Sequence, residues 1–128
     1  MSTQRLAYRF DRCPPPAPEL ALRIVAAAEG RVVIEVGGEL DPATEHQLTT
    51  YVDQLVQRCA PHLVIVDLSL LTFCSAAGIR ALLQARTAVA AHGGELVLRD
   101  PGPGVLMVLA ITGDLGRFTI QATEPVPA

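Results

Sequence analysis

The mid-chain run Leu63-Val64-Ile65-Val66-Asp67-Leu68 constrains the fold more than any other part of the sequence. It is apolar except for Asp67, follows Pro61 and is too short for a helix, so it reads as a central strand buried on both faces. Such strands belong to parallel sheets covered by helices, and the flanking segments supply the helices. Upstream, Leu48, Val52, Leu55, Val56 and Cys59 recur at helical spacing, with Glu45, Gln47, Asp53, Gln54, Gln57 and Arg58 opposite. Downstream, Ser75 is a competent N-cap. Ile79, Leu82, Leu83, Val89 and Ala90 then line one side of a second helix running to about His92, with Arg80, Gln84 and Thr87 on another.

The remaining segments complete an alternating pattern. Leu20–Ala28, the turn Glu29-Gly30 and the β-branched run Arg31–Val36 predict a hairpin. Gly37 and Gly38 break that pattern, and Asp41-Pro42 places an N-cap before a residue suited to the first helical position. Gly93-Gly94 end the second helix and Glu95–Arg99 form a short strand. Asp100–Gly104 turn into a third helix ending near Gly113, and Phe118–Ile120 form the last strand. The expected fold class is α/β: a mixed, mostly parallel sheet of about five strands with an N-terminal antiparallel hairpin, flanked by about three helices with right-handed crossovers. The expected organisation is a flexible Pro-rich tail over 1–18, whose prolines remove amide donors, one domain over 19–121, and a flexible C-terminal tail over 122–128.

Composition narrows the function. Half of the 128 residues are hydrophobic but only 4% are aromatic, so the core must be built from Leu, Val, Ile and Ala. A net charge of −3 with scattered Arg and Lys offers no basic stripe for a phosphate backbone, which argues against nucleic acid. The longest apolar run, Val105–Ile111, falls far short of the about 20 residues of a membrane span, and no cationic start precedes an apolar signal segment, so none is expected. A cytoplasmic protein without membrane insertion is expected. Cys13, Cys59 and Cys74 fit neither a disulfide framework nor zinc spacing and read as free thiols, with Cys74 buried as a small hydrophobe. His46, His62 and His92 lack partners at ligand spacing, so no metal is expected.

Signatures of catalysis are also missing. Gly102-x-Gly104 is followed by Met107 where a dinucleotide fingerprint requires Gly or Ala, and the sequence contains neither a phosphate-cradling Gly-x-x-x-x-Gly-Lys nor a nucleophile elbow. Asp41 and Asp67 could form a carboxylate pair, but each has an ordinary task, Asp41 as N-cap and Asp67 as acceptor for loop amides. The expectation is a binding protein with no enzymatic activity and no cofactor. A small flavodoxin-like enzyme or nucleotide binder is the rival from another class, and its ligand would raise the melting temperature.

Open α/β sheets place their sites beyond the carboxyl ends of the strands, here Gly37–Asp41, Ser69–Gly78 and Asp100–Gly104. The segment Thr72–Ile79 is the most informative. With Ser75 as cap, Ala76, Ala77 and Gly78 would leave helix amides nearly uncovered, a flat electropositive surface able to accept another protein or an acidic group. The alternative is that these small residues only let the helix pack tightly on the sheet. Glu39 and Arg80, expected near the same surface, are either partner contacts or solubilising charges.

From about Leu20 to Ile120 the chain resembles the STAS domain, the fold of bacterial anti-sigma factor antagonists. The resemblance rests on Gly38-Glu39-Leu40-Asp41, on Val64-Ile65-Val66-Asp67-Leu68 with Leu71-Thr72-Phe73, on Ala77-Gly78-Ile79 with Ala81-Leu82-Leu83, and on Gly94-Glu95-Leu96-Val97-Leu98 leading to Thr112-Gly113. It implies a regulator of transcription in bacterial stress signalling that binds a kinase-like anti-sigma factor and frees its sigma factor. Gly38, Glu39, Leu40, Asp41, Ser75, Ala76, Ala77, Gly78 and Arg80 would be the contact residues, and the protein a monomer or weak dimer.

In that family an Asp-Ser-Ser-Gly motif opens the second helix, and its first Ser is phosphorylated by the anti-sigma factor. Here the motif reads Ser75-Ala76-Ala77-Gly78, so Ala76 occupies the phosphoacceptor position and resembles the permanently unphosphorylated state. Ser75 or Thr72 remains open as another acceptor, although capping already explains Ser75. STAS-like domains also serve as accessory subunits of lipid-transport ATPases and in stress-signalling scaffolds, which are the rival binding roles.

Overall fold

The computed structural model describes residues 20–123, so the tail expected over 1–18 and the end of the chain from 124 lie outside the described residues. Glu29 and Gly30 carry φ of 56° and 77°, the two left-handed positions of a tight hairpin turn between β1 (Leu20–Ala28) and β2 (Arg31–Leu40). The strands pair antiparallel from Leu20↔Gly38 to Ala28↔Arg31, with a bulge between Ile24 and Ala26. After α1 (Glu45–Cys59) come β3 (Leu63–Asp67), β4 (Leu71–Cys74) and α2 (Ala76–Ala91). The chain ends with β5 (Glu95–Arg99), α3 (Pro103–Thr112), a 3-10 turn (Leu115–Arg117) and β6 (Thr119–Gln121). The sheet has six strands in the order β1-β2-β3-β5-β6, with β4 paired to β2, and every pairing beyond the hairpin is parallel.

The structure departs from the sequence reading in specific places. β2 does not stop at Gly37-Gly38: β1 pairs with both glycines on one side, and β4 joins at Gly38 and Leu40 on the other. Gly38, at φ 91°, takes up the irregularity in the β2–β4 register that a side chain would resist. β4 is the strand that the pattern did not count, four residues that pair only because β2 extends past β3. Cys59 and Ala90, expected on the core faces of their helices, are exposed. The last strand starts one residue late because the 3-10 turn consumes the approach, and Phe118 is buried ahead of it.

The expected burial of β3 on both faces is also corrected. Val64 and Val66 are fully buried, whereas Leu63, Ile65 and Asp67 are half-buried, and β2 repeats this with Val32, Ile34 and Val36 against Val33 and Glu35. The helices therefore seal one face of the sheet. On the other, Arg23, Glu35, Asp67 and Arg99 lie in one register row, with ion pairs Arg23–Glu35 at 3.0 Å and Arg99–Asp67 at 3.2 Å. Partly solvated pairs of this kind contribute about 0–1 kcal/mol each, so the sealed face carries the stability. There Leu48, Val52, Leu55 and Val56 of α1 and Ile79, Leu82, Ala85 and Val89 of α2 meet the sheet in one core.

Candidate functional site

Strand pairing assembles the site. Leu40 at the end of β2 pairs with Cys74 at the end of β4, and the Ser75 N–H donates to the Leu40 carbonyl at 3.0 Å. The two segments singled out in sequence, Gly38–Asp41 and Ser75–Gly78, thus lie side by side. Gly38 is clamped from the β3–β4 side: its N–H donates to Leu70 O at 3.2 Å, and its carbonyl accepts the Thr72 hydroxyl at 2.9 Å.

The entry to α1 differs from the simple Asp41 cap. Asp41 and Thr44 bracket a turn, and α1 begins only at Glu45. Asp41 Oδ1 accepts the N–H groups of Ala43 at 2.9 Å and Thr44 at 3.1 Å, while the Asp41 carbonyl accepts the Glu45 N–H at 2.9 Å. Among the described residues Thr44, for which the sequence pattern gives no expectation, is the buried polar side chain. Its hydroxyl donates to the Glu39 carbonyl at 2.7 Å and accepts the Asp41 N–H at 3.1 Å. This stitching holds Glu39 and Asp41 in a fixed, half-buried position beside the start of α2. The available signal was the spacing of Thr44 three residues after Asp41, which also suits a turn.

At the start of α2, Ser75 has the extended backbone of an N-cap, and its Oγ accepts the Gly78 N–H at 3.3 Å. The four residues of this entrance divide. Ser75 is half-buried and Ala76 exposed, whereas Ala77 and Gly78 are buried, and Arg80 is exposed one turn along. A Cβ on Gly78 would lie 2.8 Å from both Leu40 O and Cys74 Sγ. Gly78 therefore serves close packing of helix on sheet, and only Ser75 and Ala76 remain for a partner. Leu40, at 0% exposure, is likewise a core residue: a side chain so buried contributes about 1.5–3 kcal/mol, which contact with a partner would forfeit. The accessible candidates reduce to Gly38, Glu39, Asp41, Ser75, Ala76 and Arg80.

The titratable groups nearby have structural tasks. Burial pushes the Cys74 thiol up to about 11, in keeping with its packed position against the helix start. Burial also works to raise the Asp67 pKa, but the Ser69 N–H at 2.9 Å and Arg99 outweigh it and hold the carboxyl below its ordinary value. Asp67 is thus a loop and ion-pair anchor on the open face, and Asp41 is committed to its turn. Among the described residues no group of three or more His, Cys, Asp or Glu could hold a metal, and no helix is long and apolar enough to cross a membrane.

Comparison with known proteins agrees with this architecture. The STAS domain family model matches residues 23–125. An anti-sigma F factor antagonist of Paenibacillus polymyxa is 26% identical over 84 residues, spanning 66% of this chain and 72% of the relative. The structure of the anti-sigma factor antagonist SpoIIAA in its unphosphorylated form superposes with a TM-score of 0.69 at 27% identity, covering 81% of this chain and 90% of that one. The phosphorylated form of SpoIIAA, a Bacillus cell fate determinant, gives 0.63 at 26% identity over 81% and 93% of the two chains. The family match takes in the antiparallel hairpin, the parallel strands, all three helices and both segments of the site, and on that ground the chain belongs to the STAS domain family.

Proposed function

We propose that this chain is an anti-sigma factor antagonist: it binds a kinase-fold anti-sigma factor and thereby releases the sigma factor held there. The names of its relatives support antagonism, and the solvent-facing methyl of Ala76 at the first turn of α2 carries the finer reading. Ala76 stands where the family has its phosphoacceptor, on a rim formed with Ser75, Glu39, Asp41 and Arg80. A neutral methyl there suits the docking-competent state. A phosphate would add nearly two negative charges at a position close to Glu39 and Asp41. Without a hydroxyl the partner has nothing to phosphorylate at this position, so this antagonist stays on and must be controlled in another way, such as its abundance. Ser75 is a poor substitute acceptor because its hydroxyl already caps α2.

The test is phosphate transfer. Each kinase-fold anti-sigma factor from the same genome is purified and incubated with ATP labelled at the γ-phosphate and with this protein. The wild-type chain binds one of them without taking up label, and Ala76→Ser restores labelling. Label on the wild-type chain, traced to Ser75 or Thr72, would overturn the reading of a missing switch. Binding to none of the partners would overturn antagonism itself.

A further inference from the structure

We infer that the outer edge of β1 pairs antiparallel with the β1 edge of a second copy of this chain, joining two sheets into one. β1 is the terminal strand of the sheet and has β2 on one side only. Every residue from Arg23 to Ala28 is exposed, and Ile24-Val25-Ala26-Ala27-Ala28 is an unbroken apolar run. Free edges are ordinarily guarded by Lys, Pro, bulges or short length. β1 has nine residues with neither Lys nor Pro, and its one charge, Arg23, is drawn back over the sheet to Glu35 at 3.0 Å. The bulge between Ile24 and Ala26 is its single device of that kind.

The strand that fits this edge is β1 itself. Because the bulge shifts the alternation by one residue, Leu22, Ile24 and Ala27 share the helix-covered face, opposite Val36, Ile34 and Val32, while Arg23, Ala26 and Ala28 share the open face. A two-fold axis on any one residue would pair side chains from different faces. An axis between Val25 and Ala26 keeps the faces matched: Ile24 lies opposite the other copy's Ala27, bulk against a methyl, and Arg23 opposite its Ala28, next to its Glu29. Both contacts occur twice, as an isologous interface requires. A cavity of about 210 Å³ is ready for that arginine, with Ala26, Ala28, Val33 and Ile65 to cover its stem and Glu29, beside Arg31, to meet its guanidinium. On the helix-covered face Ile24 borders a second cavity of about 220 Å³ with Tyr51 and Leu55, so both faces of the edge are open to the alternating side chains of an added strand. One strand edge falls short of the roughly 1,200 Å² of a stable complex, which makes the dimer a weak one. The axis lies toward the hairpin end of β1, away from the Leu20↔Gly38 pair, so each copy keeps its Gly38–Asp41 and Ser75–Ala76 rim free.

The experiment is sedimentation velocity of the full chain from about 10 μM to about 1 mM, with amide hydrogen exchange at both ends of that range. The wild type shifts from monomer toward dimer as concentration rises, and amides between Arg23 and Ala28 gain protection in step. Ala26→Lys, at an exposed position beside the axis, weakens dimerisation at least about tenfold with an unchanged melting transition, because like charges meet across a pair of edges. Glu29→Arg weakens it similarly, and adding Arg23→Glu to that variant restores it, which fixes the register and carries the test if Ala26→Lys unfolds. A chain that stays monomeric across the range overturns the inference. So does a dimer indifferent to these substitutions, since its interface lies elsewhere. Protection of the β1 amides that is equally high at both concentrations would mean that the edge is covered within one chain, by residues preceding Leu20, and would overturn it too.

Discussion

The two helix entrances fed by β4 and β5 look alike in sequence and behave in opposite ways. Ser75-Ala76-Ala77-Gly78 and Gly102-Pro103-Gly104-Val105 both bring small residues into a first helical turn after a strand. At α2 the cap is a side chain, and the glycine is wedged against Leu40 and Cys74. At α3 the cap position makes no side-chain hydrogen bond, and the space over both glycines is empty. Smallness at α2 is a packing requirement for half of the turn and an exposed face for the other half. At α3 it keeps one wall of a groove against β4 low. The residue types alone do not separate these uses, because what differs is the distance to the neighbouring strand.

Substitutions at the two entrances test that contrast. Gly78→Ala should give the largest change, a loss of about 1–3 kcal/mol in urea unfolding, because the new methyl would press on the Leu40 carbonyl, a backbone atom with nowhere to go. An unchanged midpoint would show that the α2 entrance is as loose as that of α3. The same packing sets a pH effect. Burial raises the Cys74 pKa from 9.0 to about 11, so the unfolded thiol ionises first as the solution is made alkaline. The contribution is full below pH 9.0 and is lost as pH rises through about 11, and a Cys74→Ala variant should lack this alkaline component of the stability profile.

Smaller effects sharpen the comparison. Ser75→Ala should cost about 1 kcal/mol, within the usual range for an N-cap, measured by chemical unfolding at neutral pH. Gly104→Ala should do the reverse, stabilising by about 0.4–1 kcal/mol, because the site is open and alanine narrows the unfolded ensemble. A loss there would mean that the α3 start needs glycine for a reason other than space. Ala76→Glu should leave thermal stability within a few tenths of a kcal/mol of wild type or slightly raise it, since a negative charge suits a helix N-terminus. Its effect belongs to binding, and a large melting shift would mean that Ala76 is part of the core after all.

Much of the fold was legible because it follows from local chemistry. The Glu29-Gly30 turn, the amphipathic stripe of α1, the stop at Pro61, the Ser75 cap and the Gly113 end of α3 each depend on residues within a few positions of one another. β4 was not legible, since four residues make a strand only when the far end of β2 is there to pair with them. Nor was the open face of the sheet: Leu63 and Ile65 are as apolar as Val64 and Val66, and only the placement of the helices decides which side is sealed. For the candidate site, sequence singled out two segments that the fold brings side by side, but not which of their residues face outward. Leu40, Ala77 and Gly78 turned inward, Thr44 emerged as the residue that locks the Glu39–Asp41 corner, and Phe73 became the exposed aromatic.

By itself the sequence determined the order and kind of elements, the absence of a hydroxyl at position 76 and the N-cap before it, because each of these is a property of a residue and its near neighbours. Tertiary structure alone decided that the end of β2 lies against the start of α2, and that contact leaves one small residue in solvent and assigns the next to the core. The physical reason is that burial depends on what the rest of the chain brings within van der Waals reach, a sum over long-range contacts that no local pattern encodes.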